Sequence, residues 1–323
     1  MTGTRSGRWL GLLLGAGLDA VVADPRRAHP VAAFGRAAAA VESRTWADTR
    51  GRGVVFALGW VSGAVTVGLL VERARSPLRV AVVALSTWAV LGGTTLTREA
   101  VVMGRLLDRD DDHNDLPAAR EHLSHLCGRD ASGLDRTELA RATVESVAEN
   151  TSDAVVAPLF WGVVAGTPGL LAYRVVNTLD AMIGHRSPRY RRFGWAAAKL
   201  DDLANLIPAR LTGLLASGLA PLVGGSPVVA LRTMWRDGGN HPSPNAGRCE
   251  AAFAGALGVS LGGTNVYHDA AEARGPLGDG RQPTPADITH AVRLSRAVSL
   301  ASVGLAAGVG WLRSRPGSGR VRA

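Results

Sequence analysis

The chain has 323 residues and a formal net charge of +9, with 46% hydrophobic and only 5% aromatic residues. Lys199 is the only lysine, so arginine carries almost all of the positive charge. The arginines lie beside apolar runs and form no compact basic helix, which argues against nucleic acid as a partner and favours a membrane protein. Cys127 and Cys249 stand far apart with no CxxC pair, which predicts two free thiols.

Six apolar segments predict membrane helices, because about 20 apolar residues span a bilayer as a helix. The first imitates a secretory signal, but Asp19 interrupts it and favours a retained membrane segment. The charged turn 72–77 joins the second and third segments into a helical hairpin, and the basic tail after the last segment is expected on the cytoplasmic side. The six segments lie at about 9–23, 54–71, 80–96, 155–176, 211–231 and 295–312.

The fourth and fifth apolar segments are interrupted by proline and glycine, at 166–169 and at 224–227. Proline removes a helix hydrogen bond, and glycine permits sharp turns. Each segment is therefore either a re-entrant hairpin, or pair of half-helices, or an ordinary span with a kink. A hairpin would keep the polar segments on either side at the same membrane face, whereas a full crossing would separate them.

No stretch shows sustained alternation of apolar and polar residues bounded by turns, so helices are expected to dominate the fold. The sequence predicts an all-α, polytopic integral membrane protein with several transmembrane helices, broken or re-entrant helices and polar cytoplasmic loops. We expect a single domain over 1–323. Its chemistry is expected in three polar segments, at about 141–153, 177–210 and 234–250.

The first polar segment places carboxylates at intervals of four residues, at Glu145, Glu149 and Asp153. Like charges at this spacing repel one another on a helix. A bound divalent cation would remove the repulsion, and Mg²⁺ prefers carboxylate oxygens. The alternative is a solvated acidic helix face. Asp153 leads directly into an apolar run, and carboxylates at a membrane boundary are energetically costly and tend to be functional. This position favours metal binding over a solvated helix face.

The second polar segment mixes charges with apolar residues. Arg174 lies inside an apolar stretch and needs a partner, so a carboxylate pair that only holds helices together would explain it as well as a functional site. Adjacent Asp201 and Asp202 cannot face the same way on a helix, so one could bind metal while the other pairs with Lys199 or Arg210. A lone lysine suits phosphate, although its chance survival explains it nearly as well.

The third polar segment is a loop rich in turn-forming residues, followed by a run of small residues at 251–263. Such loops present backbone N–H groups to anions. His241 could accept a proton there. The alternative is a structured surface loop in which His241 only caps a turn.

Taken together, these residues resemble the CobD/CbiB family in order and spacing, over roughly positions 10 to 312. The match departs from the family pattern at Ala23, His185 and Cys249. It also departs at Lys199, where arginine is common, so only a positive charge is required at that position. The motifs that carry the resemblance are Asp24-Pro25-Arg26-Arg27, His29-Pro30-Val31, Glu149-Asn150-Thr151-Ser152-Asp153, Asn177-Thr178-Leu179-Asp180, Leu200-Asp201-Asp202, Ile207-Pro208-Ala209-Arg210, His241-Pro242-Ser243-Pro244-Asn245 and Glu250-Ala251-Ala252.

The resemblance implies an ATP- and Mg²⁺-dependent enzyme of cobalamin biosynthesis. It would join a propionate carboxylate of (adenosyl)cobyric acid to aminopropanol or aminopropanol phosphate, giving (adenosyl)cobinamide or its phosphate. It also implies a multi-pass protein of the bacterial cytoplasmic membrane whose active site faces the cytoplasm. Association with other membrane enzymes late in the cobalamin pathway is a further expectation. The rival hypotheses are a non-enzymatic membrane sensor or permease, and a membrane phosphotransferase that makes no amide.

The resemblance also suggests roles for individual residues. Mg²⁺ is assigned to four carboxylates, those of Glu149, Asp153, Asp201 and Asp202. Phosphate groups are expected to meet Lys199, Arg186 and Arg210. The proton acceptor is expected to be His241 or Asp180, and Asp202 is expected to be essential for turnover. The loop at 237–247, with Asp237, Ser243 and Asn245, is expected to shape the pocket for the substrate phosphate or the nucleotide.

Overall fold

The computed structural model describes residues 3–25, 29–108, 116–185, 187–267 and 270–314. Helices dominate this part of the chain. Short π-helical segments at Ser152–Val156 and Asp180–Gly184 precede and follow α8, and a 3₁₀ turn at Ala220–Val223 follows α10. The α-helices are α1 Gly3–Val22, α2 Pro30–Thr45, α3 Arg50–Arg73, α4 Ser76–Val90, α5 Gly93–Asp108, α6 Leu116–Leu123, α7 Arg136–Thr151, α8 Ala157–Leu179, α9 Trp195–Ala204, α10 Leu206–Leu219, α11 Pro227–Asp237, α12 Ala246–Leu257 and α13 Pro285–Ser314.

Among the described residues, five helical regions are long and apolar enough to cross a membrane. The predicted polytopic, predominantly helical membrane fold is therefore confirmed. The first apolar segment forms α1, but this helix carries Arg5, Arg8 and Asp19 and is not among the five regions. The five regions are Arg50–Arg73, Ser76–Asp108, Arg136–Gly184, Leu206–Val223 and Pro285–Arg313.

Both interrupted apolar segments break at their glycines. In α8 the backbone leaves the helical region at Gly166, with φ of 72°, and the Thr167 N–H donates to Glu72 Oε1 at 3.1 Å. The chain then reverses, because a Cβ at Gly169 would meet the Trp161 carbonyl oxygen at 2.7 Å. The fourth segment is therefore a pair of half-helices that pack against each other, which is one of the two predicted alternatives. The fifth segment becomes two helices, α10 and α11, because Gly224 adopts a left-handed conformation, with φ of 79°.

Two regular elements differ in detail from the prediction. The third apolar segment, at 80–96, lies within the candidate span Ser76–Asp108, but the helix is interrupted there, since α4 ends at Val90 and α5 begins at Gly93. An antiparallel hairpin of β1, Leu261–Tyr267, and β2, Ala270–Leu277, follows α12. Its strands contain several glycines, two of them with positive φ, so they lack the apolar–polar alternation that marks a strand in the sequence.

Contacts divide the chain into two compact units, each assembled from separate segments. The first unit comprises the described parts of 1–92, 157–204 and 302–323. The second unit comprises the described parts of 93–156 and 205–301. Because the chain passes between the units several times, they are not successive domains, and the expectation of a single domain stays a prediction.

Small residues let the helices of each unit approach closely. In the first unit α1 packs on α4, and a Cβ at Gly11 or Gly15 would meet Val83 or Thr87. Glycines one turn apart allow this close backbone approach in membrane helices. In the second unit α12 contributes Ala251, Ala252, Ala254 and other buried small residues to a core that also contains residues of α5, α7 and α13.

A matched pair of glycines in α3 tests this packing. A Cβ at Gly53 would collide with the Phe193 carbonyl oxygen, whereas a Cβ at Gly59 meets nothing within 4 Å. We expect Gly53→Ala to lower the stability of the detergent-solubilised protein by about 1–3 kcal/mol, the usual cost of overpacking. Gly59→Ala should be neutral, or stabilising by up to about 1 kcal/mol from helix propensity. Equal thermal unfolding temperatures for the two variants would contradict the packing described.

Candidate functional site

The second unit buries a cluster of charged side chains between α7, α12 and the hairpin. The start of α7 is fixed by a capping box, in which the Asp135 side chain accepts from the Glu138 N–H at 2.8 Å and the Glu138 side chain accepts from the Asp135 N–H at 3.0 Å. Two orphan helix N–H groups are thereby satisfied. The capping box fixes where α7 begins. Glu145 and Glu149 lie further along the same helix.

Glu145 is a fully partnered member of the cluster. It is only 2% exposed, and its Oε2 accepts from Arg129 Nη2 at 2.5 Å. Its Oε1 accepts from the backbone N–H of Gly262 at 2.8 Å. Both oxygens of the buried carboxylate are thus used by the protein, and they connect α7 to β1. This arrangement makes Glu145 a structural residue.

Glu250 on α12 is in the opposite situation. It is 0% exposed, and its Oε1 lies 3.5 Å from His241 Nε2 and 3.8 Å from Arg274 Nη1. Neither of its oxygens accepts a hydrogen bond from the residues that the structure describes. Burial, and then the negative charges of Glu145 and Glu149, raise the pKa of Glu250 well above its ordinary value. A cation or a hydrogen-bonding ligand would therefore stabilise this buried carboxylate.

His241 is held in a defined orientation beside Glu250. The Ser243 N–H donates to its Nδ1 at 2.9 Å, which assigns the ring proton of the neutral imidazole to Nε2, the atom that faces Glu250. Burial, and then the Arg274 guanidinium, lower the pKa of His241 to about 4. The imidazole is therefore neutral at pH 7. His241 does cap a turn, as the structural alternative predicted, and it also lies against a buried carboxylate.

The predicted acidic face of α7 continues towards the start of α12. Glu149 is half-buried near the end of α7, and Asp153 lies in the π-helical segment that follows. Burial, and then the negative charges of Asp153 and Glu149, raise the pKa of Cys249 on α12. Helix α7 also packs against α12. Short π segments within helices frequently occur at functional sites. Glu149, Asp153 and Glu250 therefore form one acidic group, called here the inner acidic group.

The inner acidic group fits a magnesium ion. Carboxylate oxygens are the ligands that Mg²⁺ prefers, and Glu149 and Asp153 supply them. Neither Glu250 oxygen accepts a hydrogen bond from the described residues, so this carboxyl group lacks the donors that would stabilise its charged form. Asp201 and Asp202 belong to the first unit, whereas Glu149 and Asp153 belong to the second. The four-residue magnesium set accordingly stays a prediction.

The predicted phosphate-binding loop is built by its own polar residues. Ser243 Oγ accepts from the N–H groups of Asn245, at 3.3 Å, and Ala246, at 3.2 Å, at the start of α12. Arg210 on α10 donates from Nη1 to Asn245 Oδ1 at 3.1 Å. The structure thus brings Arg210, Ser243 and Asn245 together at one end of α12.

Asp237 has a structural part in the same region. Its two oxygens accept from the neighbouring Arg236 at 2.6 Å each, and its Oδ2 also accepts from the Gly278 N–H at 2.8 Å. Hydrogen bonds from Arg236 lower the pKa of Asp237. This carboxylate therefore connects the end of α11 to the residue that follows β2. Its proposed contact with substrate stays a prediction.

The remaining predicted residues lie in the first unit. Lys199 Nζ contacts Asp202 Oδ2 at 2.8 Å along α9, and Asn177 Nδ2 donates to Asp201 Oδ1 at 3.4 Å. The two adjacent aspartates thus have different partners, one of them Lys199, as their spacing on a helix requires. Asp180 begins the π segment Asp180–Gly184. Arg186 lies outside the described residues.

Sequence reasoning gave no role to three members of the buried cluster, Arg129, Arg274 and Glu250. Glu250 did carry a signal, because it stands at the head of a helix made almost entirely of small residues, where a charge must be buried. The two arginines had none, since their carboxylate partners are distant in the chain or on another element. Cys127 and Cys249 are free thiols, as predicted.

The fold and the site define a multi-pass helical membrane protein with a buried cluster of carboxylates, arginines and a histidine. A family model described as CobD/Cbib protein matches residues 12–295, and the chain belongs to this family. The family membership places the chain in cobalamin biosynthesis, which confirms that part of the prediction.

Curated relatives carry the name cobalamin biosynthesis protein CobD. The protein of Mycobacterium tuberculosis is 52% identical over 310 residues, covering 93% of this chain and 95% of the relative. The protein of Geobacter metallireducens is 47% identical, covering 83% and 86%. The protein of Rhodobacter capsulatus is 40% identical, covering 88% and 92%. No solved structure matches the chain.

The buried pair of Arg129 and Glu145 makes a strong prediction for stability. Arg129→Ala leaves a buried carboxylate without its main partner, so we expect a loss of about 3–5 kcal/mol. Arg192→Ala is the matched control, because Arg192 and Asp48 form an ion pair at 3.7 Å with both side chains more than half exposed. Exposed pairs contribute about 0–1 kcal/mol. Unfolding in detergent measures both, and equal losses would contradict the structural assignment of Glu145.

His241 predicts a specific dependence of stability on pH. Its folded-state pKa, about 4, is below the ordinary value of about 6.5, so the unfolded chain binds the proton first. The resulting stability is present above about pH 6.5 and is lost as the pH falls towards 4, by up to about 3 kcal/mol. We expect His241→Gln to flatten this part of the profile when unfolding is measured in EDTA. His290→Gln is the control and should keep the wild-type slope.

Proposed function

We propose that the chain catalyses ATP-dependent amide bond formation between a propionate carboxylate of (adenosyl)cobyric acid and aminopropanol or aminopropanol phosphate. The product is (adenosyl)cobinamide or its phosphate. One observation carries the proposal: a member of the CobD/Cbib family holds the inner acidic group, with Glu250 buried beside Arg274 and with Glu149 and Asp153 half-buried. Such a group can organise a metal–nucleotide complex away from bulk water.

The chemistry requires an activated carboxylate. A carboxylate oxygen of cobyric acid attacks the terminal phosphorus of ATP, and ADP leaves. The amine nitrogen then attacks the acyl carbon of the resulting acyl phosphate, inorganic phosphate leaves, and the nitrogen loses a proton. Both displacements develop negative charge on phosphate oxygens, so the site must supply positive charge and fixed orientation.

The residues divide these tasks. Mg²⁺, when bound, neutralises charge on the phosphates of ATP, and Glu149 and Asp153 are its proposed ligands in the second unit. Asp201 and Asp202 are the proposed carboxylates of the first unit. Arg210 beside Asn245 and Lys199 beside Asp202 are the proposed phosphate-binding cations. Arg186 is a further proposed cation, carried over from the family resemblance.

The proton released from the amine needs an acceptor. His241 and Glu250 lie 3.5 Å apart and are both buried, so they can hold and pass a proton as a pair. Ser243 fixes the imidazole so that Nε2 faces the carboxylate. We propose this pair as the acceptor, with Asp180 as the alternative in the first unit.

The proposed location is the cytoplasmic membrane, with the site open to the cytoplasm. Five candidate spans support a multi-pass protein, and ATP is a cytoplasmic substrate. The arginine-rich segment 313–322 after the last span agrees with a cytoplasmic C-terminus. Contact with other membrane enzymes of the same pathway is part of the proposal.

The direct test uses the intact protein in detergent with adenosylcobyric acid, aminopropanol phosphate, ATP and Mg²⁺. We expect adenosylcobinamide phosphate by mass spectrometry, with equimolar ADP. Glu149→Gln and Asp202→Asn should each lower the rate by about 100-fold or more, since several kcal/mol of charge stabilisation are lost. Asp130→Asn, at an exposed aspartate of the second unit, should keep the wild-type rate.

Three outcomes would separate the rival functions. Absence of product from folded protein, with free aminopropanol and ethanolamine phosphate also tried, would contradict the proposal and favour a sensor or permease. Phosphorylation of an amine analogue that lacks the nitrogen, at the full rate, would identify a phosphotransferase. Full activity of both acidic variants would leave the reaction in place and overturn the site assignment.

A further inference from the structure

The second unit contains a group of metal-ligating side chains that the proposed reaction does not use. Glu99 on α5, His122 on α6 and His125 in the turn after α6 each offer one ligand atom, and these atoms lie within 4.8 Å of one another. None of the three belongs to the polar segments that carry the family resemblance. They form the outer His–Glu cluster.

Two ligand–ligand distances in the outer His–Glu cluster agree with a tetrahedral metal site. Glu99 Oε2 lies 3.1 Å from His122 Nε2 and 3.3 Å from His125 Nδ1. Ligand atoms about 2.0–2.2 Å from a tetrahedral metal are roughly 3.3 Å apart, so both distances already agree with coordination. The imidazole rings meet edge to face, with centroids 4.9 Å apart.

The backbone holds the three ligands in place. Ala100 and Met103 anchor α5 in the core beside Glu99, and Leu123 and Leu126 anchor the segment that carries both histidines. The turn after α6 is closed by a hydrogen bond from the His125 N–H to the His122 carbonyl at 3.0 Å. Packing of neighbouring residues therefore positions the ligands before any ion binds, which is the requirement for a pre-organised site.

The ligand set selects the class of cation. Two imidazole nitrogens and one carboxylate suit Zn²⁺ and similar transition metals, whereas Mg²⁺ and Ca²⁺ prefer oxygen ligands alone. The site is also accessible, because the His125 side chain is 61% exposed and the Glu99 side chain is 30% exposed. Three protein ligands with solvent access leave a position for water.

A purely hydrogen-bonded cluster is the competing explanation. His122 Nε2 also lies 3.1 Å from the Glu99 carbonyl oxygen, so this ring has a partner without metal. However, both histidines direct a ring nitrogen at the same carboxylate oxygen, Glu99 Oε2. Because these two nitrogens and this oxygen all lie within 4.8 Å of one another, one cation among them can be bound by all three atoms.

We propose that Glu99, His122 and His125 bind one Zn²⁺-class transition-metal ion, which fastens α6 to α5. The site is structural, and it is separate from the magnesium that the proposed reaction needs. Because a ligand that binds only the folded state raises stability, the bound ion should increase the thermal unfolding temperature.

The test measures metal binding without reference to activity. Protein purified without a polyhistidine tag is stripped with chelator and titrated with Zn²⁺ by calorimetry, and with Co²⁺ by visible absorption, in excess Mg²⁺. We expect one site per chain and the intense absorption of tetrahedral Co²⁺. His125→Ala should weaken binding by about 100-fold or more, since loss of even an outer-sphere partner costs about 10–100-fold. Because its side chain is exposed, this variant keeps the packing.

His290→Ala is the matched control and should bind Zn²⁺ with the wild-type affinity. Zn²⁺ should raise the unfolding temperature of the wild type and of His290→Ala, but not that of His125→Ala. Equal Zn²⁺ affinity in the wild type and in His125→Ala would overturn the proposal. So would the absence of Zn²⁺ binding by folded wild-type protein, which would identify a hydrogen-bonded cluster only. Amide-forming activity can be present or absent in either case, so the two proposals fail independently.

Discussion

The second unit depends on the burial of charge in a core of small side chains. Moving a carboxylate out of water is unfavourable unless hydrogen bonds and opposite charges compensate for the loss of hydration. The protein meets this requirement at Glu145, where Arg129 supplies a short ion pair and Gly262 supplies a backbone N–H. Because these partners come from a loop and from β1, the position of α7 and the position of the hairpin are fixed by the same carboxylate.

Small residues make the burial of these charged side chains sterically possible. Alanine and glycine on α12 allow α10, α11 and α7 to approach closely, so the charged side chains among them are shielded from solvent. A core of larger apolar residues would bury more surface but would separate the helices. The composition, rich in glycine and poor in aromatic residues, therefore has a structural reason: close backbone approach stabilises the helix packing, and it also excludes water from the polar cluster.

Local sequence patterns predicted most of the helices and their breaks. They could not predict contacts between residues that are distant in the chain. Apolar runs predicted the membrane helices, and the glycine–proline breaks at 166–169 and 224–227 predicted the two places where a helix is interrupted. The hairpin β1–β2 escaped prediction because its strands pair mainly with each other and lack alternation. In the site, the spacing of Glu149 and Asp153 revealed one acidic face. Gly262 donates to Glu145 from 117 residues away in the chain, and no pattern in the sequence around either residue indicates this contact.

The contrast between Glu145 and Glu250 separates structure from chemistry. Both carboxylates are buried in the same unit, and composition alone would not distinguish them. Both oxygens of Glu145 accept hydrogen bonds from the protein, so this carboxylate connects α7 to the Arg129 loop and to β1. Glu250 accepts no hydrogen bond from the described residues and has a neutral histidine and a more distant arginine beside it. The fold satisfies the Glu145 carboxylate completely but gives Glu250 no hydrogen-bond donor among the described residues. Glu250 can therefore interact with a cation or a hydrogen-bonding group of a ligand. The proposed reaction, which has to organise phosphates and an amine, would use Glu250 in this way.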